Sequence, residues 1–303
     1  MTGGAEGSGG PGGSGEPEGV GGADRPSGPE RPPLARAPGT RPVPGYEFLG
    51  HLVRTGWLDV YDAWSEERAC RCVIKVVRPD RRDKADLGDR LLREGRWLRV
   101  FTHPHLVRAY ELFTSPEPLV VLETLTGETL SHLVRRLRRR LSAGDVATLG
   151  VQLCSAVHYL HGQGLLHLDL KPSNVVVDCG HAKVFDLSVA RPPGPAPAGF
   201  GTYGYMAPEQ VRGGRLSASA DVWGIGMTLY EVASGAVPVA AAPIAARRRL
   251  PRALAAAVDA CLRADPAARP TVSELTRALG AALPGEGIRR AGSGGEGPGI
   301  VLS

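Results

Sequence analysis

Residues 167–174 read His-Leu-Asp-Leu-Lys-Pro-Ser-Asn and run directly into the apolar triplet of residues 175–177. Twelve residues after Asn174 comes Asp186, within the stretch KVFDLS at residues 183–188. Taken singly, an Asp or Asn before an apolar run is usually a turn residue, and Asp186 is compatible with a strand end. The segments on both sides are therefore needed to tell whether this stretch is catalytic or only structural.

The chain before residue 129 shows short β-like runs, and the chain after it shows mostly helical patterns. The runs are rich in branched and aromatic residues and are bounded by turn residues or charges: YEFLGHLV at 46–53, WLDVYDAW at 57–64, RCVIKVVR at 71–78, VRAYELF at 107–113 and PLVVLETL at 118–125. Residues 83–100 interrupt them with an apolar face of helical spacing. Another helical stripe consists of Val146, Leu149, Leu153, Val157 and Leu160. A small sheet-rich lobe before a larger helical lobe is an α+β arrangement.

Two charged residues stand among apolar ones in the first lobe. Lys75 lies inside the run CVIKVV, and Glu94 falls on the apolar helix face beside Leu91 and Leu98. A lone strand lysine most often extends to a solvent edge, so a structural explanation exists for it. Because the two misplaced charges are opposite and lie in neighbouring elements, we expect them to pair. Such a pair adds little stability, so it indicates a functional site rather than a stabilising one.

Further motifs follow in order between residues 46 and 283. They are VIK at 73–75, GTYGYMAPE at 201–209, DVWGIG at 221–226 and CLRADPAARP at 261–270. Together with HLDLKPSN and the Asp of KVFDLS, this set resembles the protein kinase family. The resemblance implies a two-lobed protein kinase-like fold with a small β-rich N-lobe, one main N-lobe helix and a larger helical C-lobe. Read jointly, the motif residues are functional.

Phosphoryl transfer from ATP needs cations near the phosphates and carboxylates that hold a metal ion. The resemblance implies that Lys75 contacts the α- and β-phosphates and that Glu94 holds Lys75 in place. It also implies that Asn174 and Asp186 bind Mg²⁺, a hard cation suited to oxygen ligands. ATP and Mg²⁺ are therefore the expected cofactors.

The catalytic loop supplies the remaining chemistry. By resemblance, Asp169 accepts the proton of the substrate hydroxyl or orients that hydroxyl, and Lys171 steadies the γ-phosphate. A lysine at this place in DLKPSN is similar to the serine/threonine class, and Thr202 in the substrate platform fits that class too. The resemblance thus implies a serine/threonine protein kinase that acts on ATP and a protein substrate.

The nucleotide pocket is implied by another group of residues. Leu122 stands at the gatekeeper position behind the adenine, and Glu123 and Leu125 offer backbone groups to the adenine edge. Val53 and Val60 belong to the strands that cover the nucleotide. All five are expected ATP-binding residues by resemblance alone.

Three motif residues are implied to support the fold instead. Glu209 is expected to pair with Arg269 inside the helical lobe. Asp221 is expected to brace the catalytic loop. We therefore expect these three side chains to matter for stability rather than for contact with substrate.

The phosphate-covering loop departs from the family pattern. Alignment on Val60 puts Val53, Thr55 and Leu58 where the family has three glycines, and only Gly56 stands between them. Glycine allows the backbone to approach the phosphates without a Cβ in the way. Side chains here are expected to loosen or reshape that contact and to lower turnover.

A second departure concerns activation. Leu168 replaces the arginine that in the family receives the charge of a phosphorylated activation loop, and residues 189–201 contain no Ser, Thr or Tyr. We therefore expect no control by phosphorylation within this segment, whose Pro and Gly residues set its shape. The sequence Asp186-Leu187-Ser188 replaces the common Asp-Phe-Gly, so the Asp is expected to be less able to swing out.

Composition bounds the domain organisation. The 303 residues include 41 Gly and 26 Pro, which concentrate at the ends of the chain. Residues 1–45 and 284–303 are predicted to be disordered because they contain too little apolar surface to offset ordering entropy. Residues 46–283 are predicted to form the kinase domain, with an N-lobe at 46–122, a hinge at 123–127 and a C-lobe at 128–283.

Composition also argues against several classes of protein. There is no signal-peptide pattern and no run of 18 apolar residues, so neither secretion nor a membrane span is expected. Five cysteines without a CxxC pair suit a reducing cytoplasm. An arginine cluster comprises Arg135, Arg136, Arg138, Arg139 and Arg140. Such a cluster can attract acidic substrates or nucleic acid, but a solvated helix face is the favoured interpretation. No aromatic residues interleave with it, so nucleic-acid binding is not predicted.

Two other functions share this fold or this chemistry. A pseudokinase would keep the fold and serve as a nucleotide-binding or scaffolding module, which the altered phosphate loop favours. The intact base and metal-binding residues oppose it, because a scaffold has no physical need for all of them. A small-molecule phosphotransferase is opposed by the MAPEQ segment at 206–210, which in the family forms the platform for a protein substrate.

Overall fold

The computed structural model describes residues 34–137, 140–237 and 242–283. The first lobe is an antiparallel sheet with the strand order β1-β2-β3-β5-β4, against which one long helix packs. Its elements are β1 (Tyr46–Arg54), β2 (Leu58–Ser65), β3 (Cys70–Val77), α1 (Ala85–Val100), β4 (Ala109–Phe113) and β5 (Leu119–Glu123). The strand runs read from the sequence correspond to these strands, and the predicted α+β class is confirmed.

Both faces of this sheet are covered. Phe48 and Tyr61 stack at 4.0 Å on one face, where Val43 is also buried. The other face packs against α1 through the fully buried Leu91 and Leu98. A strand whose alternating side chains are apolar on both faces requires cover on both sides. The chain just before β1 provides part of that cover, while the domain boundary after residue 45 stays a prediction. Residues 1–33 and 284–303 of the predicted tails lie outside the described residues.

The second lobe is mainly helical. Its elements are β6 (Glu128–Thr129), α2 (Leu130–Leu137), α3 (Ala143–Gly162), β7 (Val175–Asp178), β8 (His181–Val184), β9 (Gly194–Ala196), α4 (Pro208–Arg212), β10 (Gly214–Leu216), α5 (Ala218–Ser234), α6 (Arg252–Cys261) and α7 (Val272–Gly280). Helix α3 begins at a capping box in which Ser142 and Asp145 satisfy each other's backbone N–H groups. The apolar stripe predicted for this helix is buried in the core, as expected.

The loops between these elements meet at the junction of the lobes. The hairpin of β7 and β8 pairs Val175 with Val184, and it carries residues 167–174 on one side and Asp186 on the other. Leu106 of the first lobe forms a bridge to Val184. Among the described helices, none combines the length and apolarity required to cross a lipid bilayer.

Candidate active site

A buried ion pair joins β3 to α1. The Lys75 ammonium donates to Oε1 of Glu94 at 2.8 Å, and the two residues are only 7% and 1% exposed. The register of β3, with Val60 and Val120 opposite Lys75, fixes the lysine in the middle of the sheet. The two charges that the sequence places among apolar residues therefore meet in the structure.

Asp186 adds a second negative charge to this pair. Burial works to lower the pKa of Lys75, but the carboxylates of Glu94 and Asp186 raise it above its ordinary value. Burial raises the pKa of Glu94, and the Asp186 charge adds to that rise while Lys75 opposes it. For Asp186, burial is outweighed by Lys75 and by Ser188, and its pKa is lowered. Lys75 thus pairs directly with Glu94 and is also influenced by the charge of Asp186, and two carboxylates with one ammonium leave a negative charge that suits a cation.

The catalytic loop is organised around the Asp169 carboxylate. Lys171 donates to its Oδ2 at 2.7 Å, and the Asn174 side-chain amide donates to the same oxygen at 3.0 Å. The backbone N–H of Thr202 donates to Oδ1 at 3.0 Å. Four of the predicted residues, distant by up to 33 positions, therefore contact one another.

Asp221 fixes the backbone of this loop through hydrogen bonds. Its two carboxylate oxygens accept from the backbone N–H groups of His167 and Leu168 at 2.9 and 2.7 Å, and Oδ2 also contacts His161 at 2.8 Å. Leu168 has a φ of 64°, a left-handed conformation that costs a non-glycine residue energy. A buried carboxylate that binds consecutive N–H groups can hold that conformation in place.

Asp186 follows directly from the β7–β8 hairpin. It too has a left-handed backbone, with a φ of 69°, and its Oδ1 accepts from the Ser188 backbone N–H at 3.2 Å. The Phe185 backbone N–H donates to the Asn174 carbonyl at 3.0 Å, which places Asn174 next to the Asp186 segment. Both predicted metal-binding residues thus lie on one hairpin.

These residues fit a magnesium ion. The Asn174 amide nitrogen is used by Asp169, which leaves the side-chain oxygen for a cation. In the described part of the chain, His, Cys, Asp and Glu side chains nowhere gather in threes as a closed metal cage. Magnesium bound to a nucleotide needs only one or two protein oxygens, because phosphates and water complete its octahedral shell. Asn174 and Asp186 are a donor set of that kind.

The expected adenine pocket lies along the end of β5. Leu122 is 3% exposed and pairs with Val73 of β3. The Glu123 backbone N–H donates to the Arg108 carbonyl, and its carboxylate binds Lys183 at 2.5 Å. Leu125 is partly buried against the core. These contacts account for the Glu123 side chain and backbone N–H.

The phosphate-covering turn has an unusual construction. Val53 pairs with Val60 across the hairpin and is 49% exposed. The Thr55 hydroxyl accepts from the Leu58 backbone N–H at 3.0 Å, and Leu58 turns inward and is 4% exposed. Leu58 therefore fills core space where the family has a glycine. The Trp57 ring at the tip lies 4.8 Å from the Arg90 guanidinium of α1.

Apolar packing and side-chain amide hydrogen bonds anchor the segment after Asp186. Leu168 packs in a buried apolar cluster that Phe200 also contacts. The Gln210 side-chain amide donates to the carbonyls of Leu168 and Phe200 at 2.9 and 2.7 Å. Strand β9 of this segment pairs with β10, so Gly194 lies opposite Leu216. Sequence reasoning missed Gln210, although its position within the MAPEQ motif was a usable signal.

The predicted structural pair is in place. Arg269 binds Glu209 through two parallel bonds, Nη1–Oε1 at 2.6 Å and Nη2–Oε2 at 2.9 Å, and both residues are buried. The guanidinium also lies 4.9 Å from the Trp223 ring. This fork joins α4 to the segment between α6 and α7, away from the Asp169 network.

Comparison with known proteins gives a consistent picture. A family model described as Protein kinase domain matches residues 56–278. The serine/threonine-protein kinase PkaA of Streptomyces coelicolor is 32% identical over 237 residues, which cover 71% of this chain and 44% of that protein. The putative CBL-interacting protein kinase 27 of Oryza sativa is 33% identical over 200 residues, covering 63% and 49% respectively. The chain spans less than half the length of these two relatives.

Proposed function

The chain belongs to the protein kinase family, and from this we infer that it transfers the γ-phosphate of ATP to serine and threonine hydroxyls of proteins. The observation that carries this inference is the assembled charge group of Lys75, Glu94 and Asp186. A nucleotide-free scaffold gains nothing from a buried Lys75–Glu94 ion pair beside the charge of Asp186, since such a group contributes little to stability. Phosphoryl transfer, in contrast, requires an ammonium near the phosphates and carboxylates that can hold a metal ion.

In this proposal each residue has one task. Lys75 binds the α- and β-phosphates, and Glu94 fixes its direction. Asn174 and Asp186 would hold magnesium, which when bound would neutralise negative charge on the phosphates. Backbone groups of Glu123 and Leu125 bind the adenine edge beside Leu122, and Val53 and Val60 cover the nucleotide.

The reaction itself is a displacement at phosphorus. Asp169 orients the substrate hydroxyl through a hydrogen bond and receives its proton as the new O–P bond forms. The bond between the γ-phosphorus and the bridging oxygen breaks, and the electron pair stays with ADP. Lys171 neutralises charge on the transferred group, and Thr202 ties the substrate platform to Asp169.

We further propose that phosphorylation within residues 189–201 does not control this activity. That segment has no hydroxyl-bearing side chain, and Leu168 stands where a phosphate-binding arginine would be needed. The apolar cluster around Leu168 and the two bonds from Gln210 supply the anchoring instead. The kinase domain in this proposal comprises residues 46–283, and its five free thiols suit the cytoplasm.

A radiolabelled-ATP assay tests the function. Purified wild type should transfer label to itself or to a generic protein substrate, and Lys75→Met should abolish transfer. Magnesium with ATP should raise the melting temperature of wild type, and Asp186→Ala should remove the magnesium-dependent part of that rise. Equal labelling by wild type and Lys75→Met would assign the signal to a contaminant and favour a scaffold.

A further inference from the structure

Two arginine-rich stretches that are far apart in sequence lie together on the second lobe. Residues 135–140 read RRLRRR, and residues 247–252 read RRRLPR. Arg140 donates through Nη1 to the Arg247 carbonyl at 3.2 Å. Arg248 donates to the Leu141 carbonyl at 2.5 Å. These bonds fix the two stretches side by side, although Arg138 and Arg139 themselves lie outside the described residues.

The positive charge of this surface is only partly neutralised, because Arg136 forms an ion pair with Glu128 at 3.0 Å. Arg140, Arg247, Arg249 and Arg252 are exposed, and none of the four pairs with a carboxylate within the ranges that the structure describes. Burial, together with the charge of Arg140, lowers the pKa of Arg248, as expected where cations crowd. Arg140, Arg247, Arg249 and Arg252 therefore present guanidinium groups to solvent without a carboxylate partner in the described ranges, whereas Arg136 has one.

The surface begins beside the substrate platform. Tyr205, three residues after Thr202, donates its hydroxyl to Oε2 of Glu231 at 2.6 Å. Helix α2, which carries Arg135, contacts α5, which carries Glu231, and the charge of Arg135 opposes the rise that burial causes in the pKa of Glu231. The arginine stretch that begins at Arg135 ends at Arg140, which contacts Arg247, and Arg252 begins α6. A substrate whose hydroxyl reaches Asp169 could place a neighbouring segment on them.

We propose that the arginine surface, defined as Arg135, Arg136, Arg140, Arg247, Arg249 and Arg252, binds an acidic stretch of the protein substrate outside the phosphorylated site. This proposal rests on the proposed kinase function. Guanidinium forks match carboxylates in two-bond geometry, which a run of Asp and Glu side chains can satisfy repeatedly. The two stretches carry no aromatic side chain on which a base could stack, which disfavours single-stranded nucleic acid.

Binding alone can be measured without any catalysis. The probe is a fluorescent 20-residue peptide of alternating Glu and Gly, with a Gln-Gly peptide as its neutral match. We expect wild type to bind only the Glu peptide, with an affinity that falls as salt rises. The triple change Arg247→Gln, Arg249→Gln and Arg252→Gln should weaken binding about tenfold, because it removes three exposed guanidinium partners of the peptide carboxylates.

The matched control removes exposed arginines elsewhere. Arg96→Gln with Arg99→Gln on α1 also reduces positive charge and should leave peptide affinity within about twofold. In the kinase assay, an acceptor peptide with an acidic tail should show a raised KM in the triple variant at unchanged kcat. Melting temperatures within a degree of wild type would show that the variants are folded.

Several outcomes would overturn the proposal. Equal binding of the Glu and Gln peptides would do so, as would equal weakening by the control pair. Tighter binding of duplex RNA or of phosphatidylserine vesicles, lost in the triple variant while the acidic acceptor keeps its KM, would assign the surface to another partner. If the protein binds the Glu peptide as expected but transfers no label, the kinase function fails while the acidic-binding surface stands.

Discussion

The Arg90 guanidinium lies 4.8 Å from the centre of the Trp57 ring and thereby joins helix α1 to the tip of the phosphate-covering turn. The same side chain donates through Nε to the backbone carbonyl of Ser188 at 2.7 Å. One arginine thus contacts both the turn between β1 and β2 and the segment that carries Asp186. If that turn covers the nucleotide as proposed, the two contacts of Arg90 hold it in place where the family relies on glycines.

Loss of Arg90 should weaken nucleotide binding more than it weakens chemistry. Arg90→Ala removes the ring contact and the bond to Ser188, so we expect the KM for ATP to rise about tenfold, as for a loss of about 1.4 kcal/mol. Arg90→Lys keeps the charge over the indole but cannot donate in the same fixed geometry, so it should recover only part of the loss. Steady-state kinetics with ATP as the varied substrate measure both values.

Trp57→Ala provides the partner variant for a double-mutant cycle. If Arg90 acts through Trp57, the double variant should be less impaired than the two single changes predict when added. Strict additivity, or an unchanged KM for ATP in Arg90→Ala, would contradict the positioning role. Arg99→Gln, exposed on the same helix, is the control for charge loss.

The parts of this site that the sequence predicted depend on short-range patterns. Lys75 and Glu94 stood out because a charge inside an apolar strand and a charge on an apolar helix face violate local patterning. The buried stripe of α3 followed from spacing alone, and its residues are buried. Such signals need no knowledge of which segments meet in space.

The parts that it did not predict depend on contacts between distant segments. Strand β9 consists of Gly, Pro and Ala, which carry no strand signal, and it forms only because β10 lies beside it. Side chains at the family's glycine positions predict a loosened or reshaped phosphate contact, which stays a prediction, but the sequence does not show that Leu58 turns into the core. The role of Gln210 as a link to Leu168 requires the positions of both loops.

Asp59 should make stability depend on pH at the acid end. Its carboxylate is fully buried and accepts two bonds from Arg54 at 2.7 and 2.8 Å and one contact from His51 at 3.1 Å. Burial works to raise the pKa of Asp59, but these hydrogen bonds outweigh it, and the pKa lies below its ordinary value. A lowered folded-state pKa stabilises the protein above the unfolded-state pKa of about 3.9, and that contribution is lost as the pH falls.

We therefore expect Asp59→Asn to lower the free energy of unfolding by about 1–3 kcal/mol at pH 7. The difference between wild type and Asp59→Asn should narrow below about pH 4, because the wild-type carboxylate then becomes protonated too. Urea unfolding at a series of pH values measures this. Asp89→Asn on the exposed side of α1 should change stability by less than about 0.5 kcal/mol at every pH. A difference that grows towards acid pH would refute the prediction.

Cys179 should be an exposed thiol that is alkylated slowly. It lies in the turn between β7 and β8, and a hydrogen bond with Asp178, together with the charge of that carboxylate, raises the pKa of Cys179. Because the thiolate is the nucleophile, iodoacetamide at pH 8 should alkylate Cys179 more slowly than a free cysteine. Asp178→Asn removes the charge and should speed alkylation several-fold, as measured by mass spectrometry of the native protein.

Two buried thiols provide the internal comparison. Burial raises the pKa of Cys72 and of Cys154 to about 12, so neither should react in the folded protein while Cys179 does. In concentrated urea the rates of all cysteines should converge, and the effect of Asp178→Asn should become small because unfolding separates the two side chains. Equal alkylation rates of Cys179 in native wild type and native Asp178→Asn would show that the Asp178 carboxylate does not restrain this thiol. Early alkylation of Cys154 would show that the core around α3 opens more readily than its packing implies.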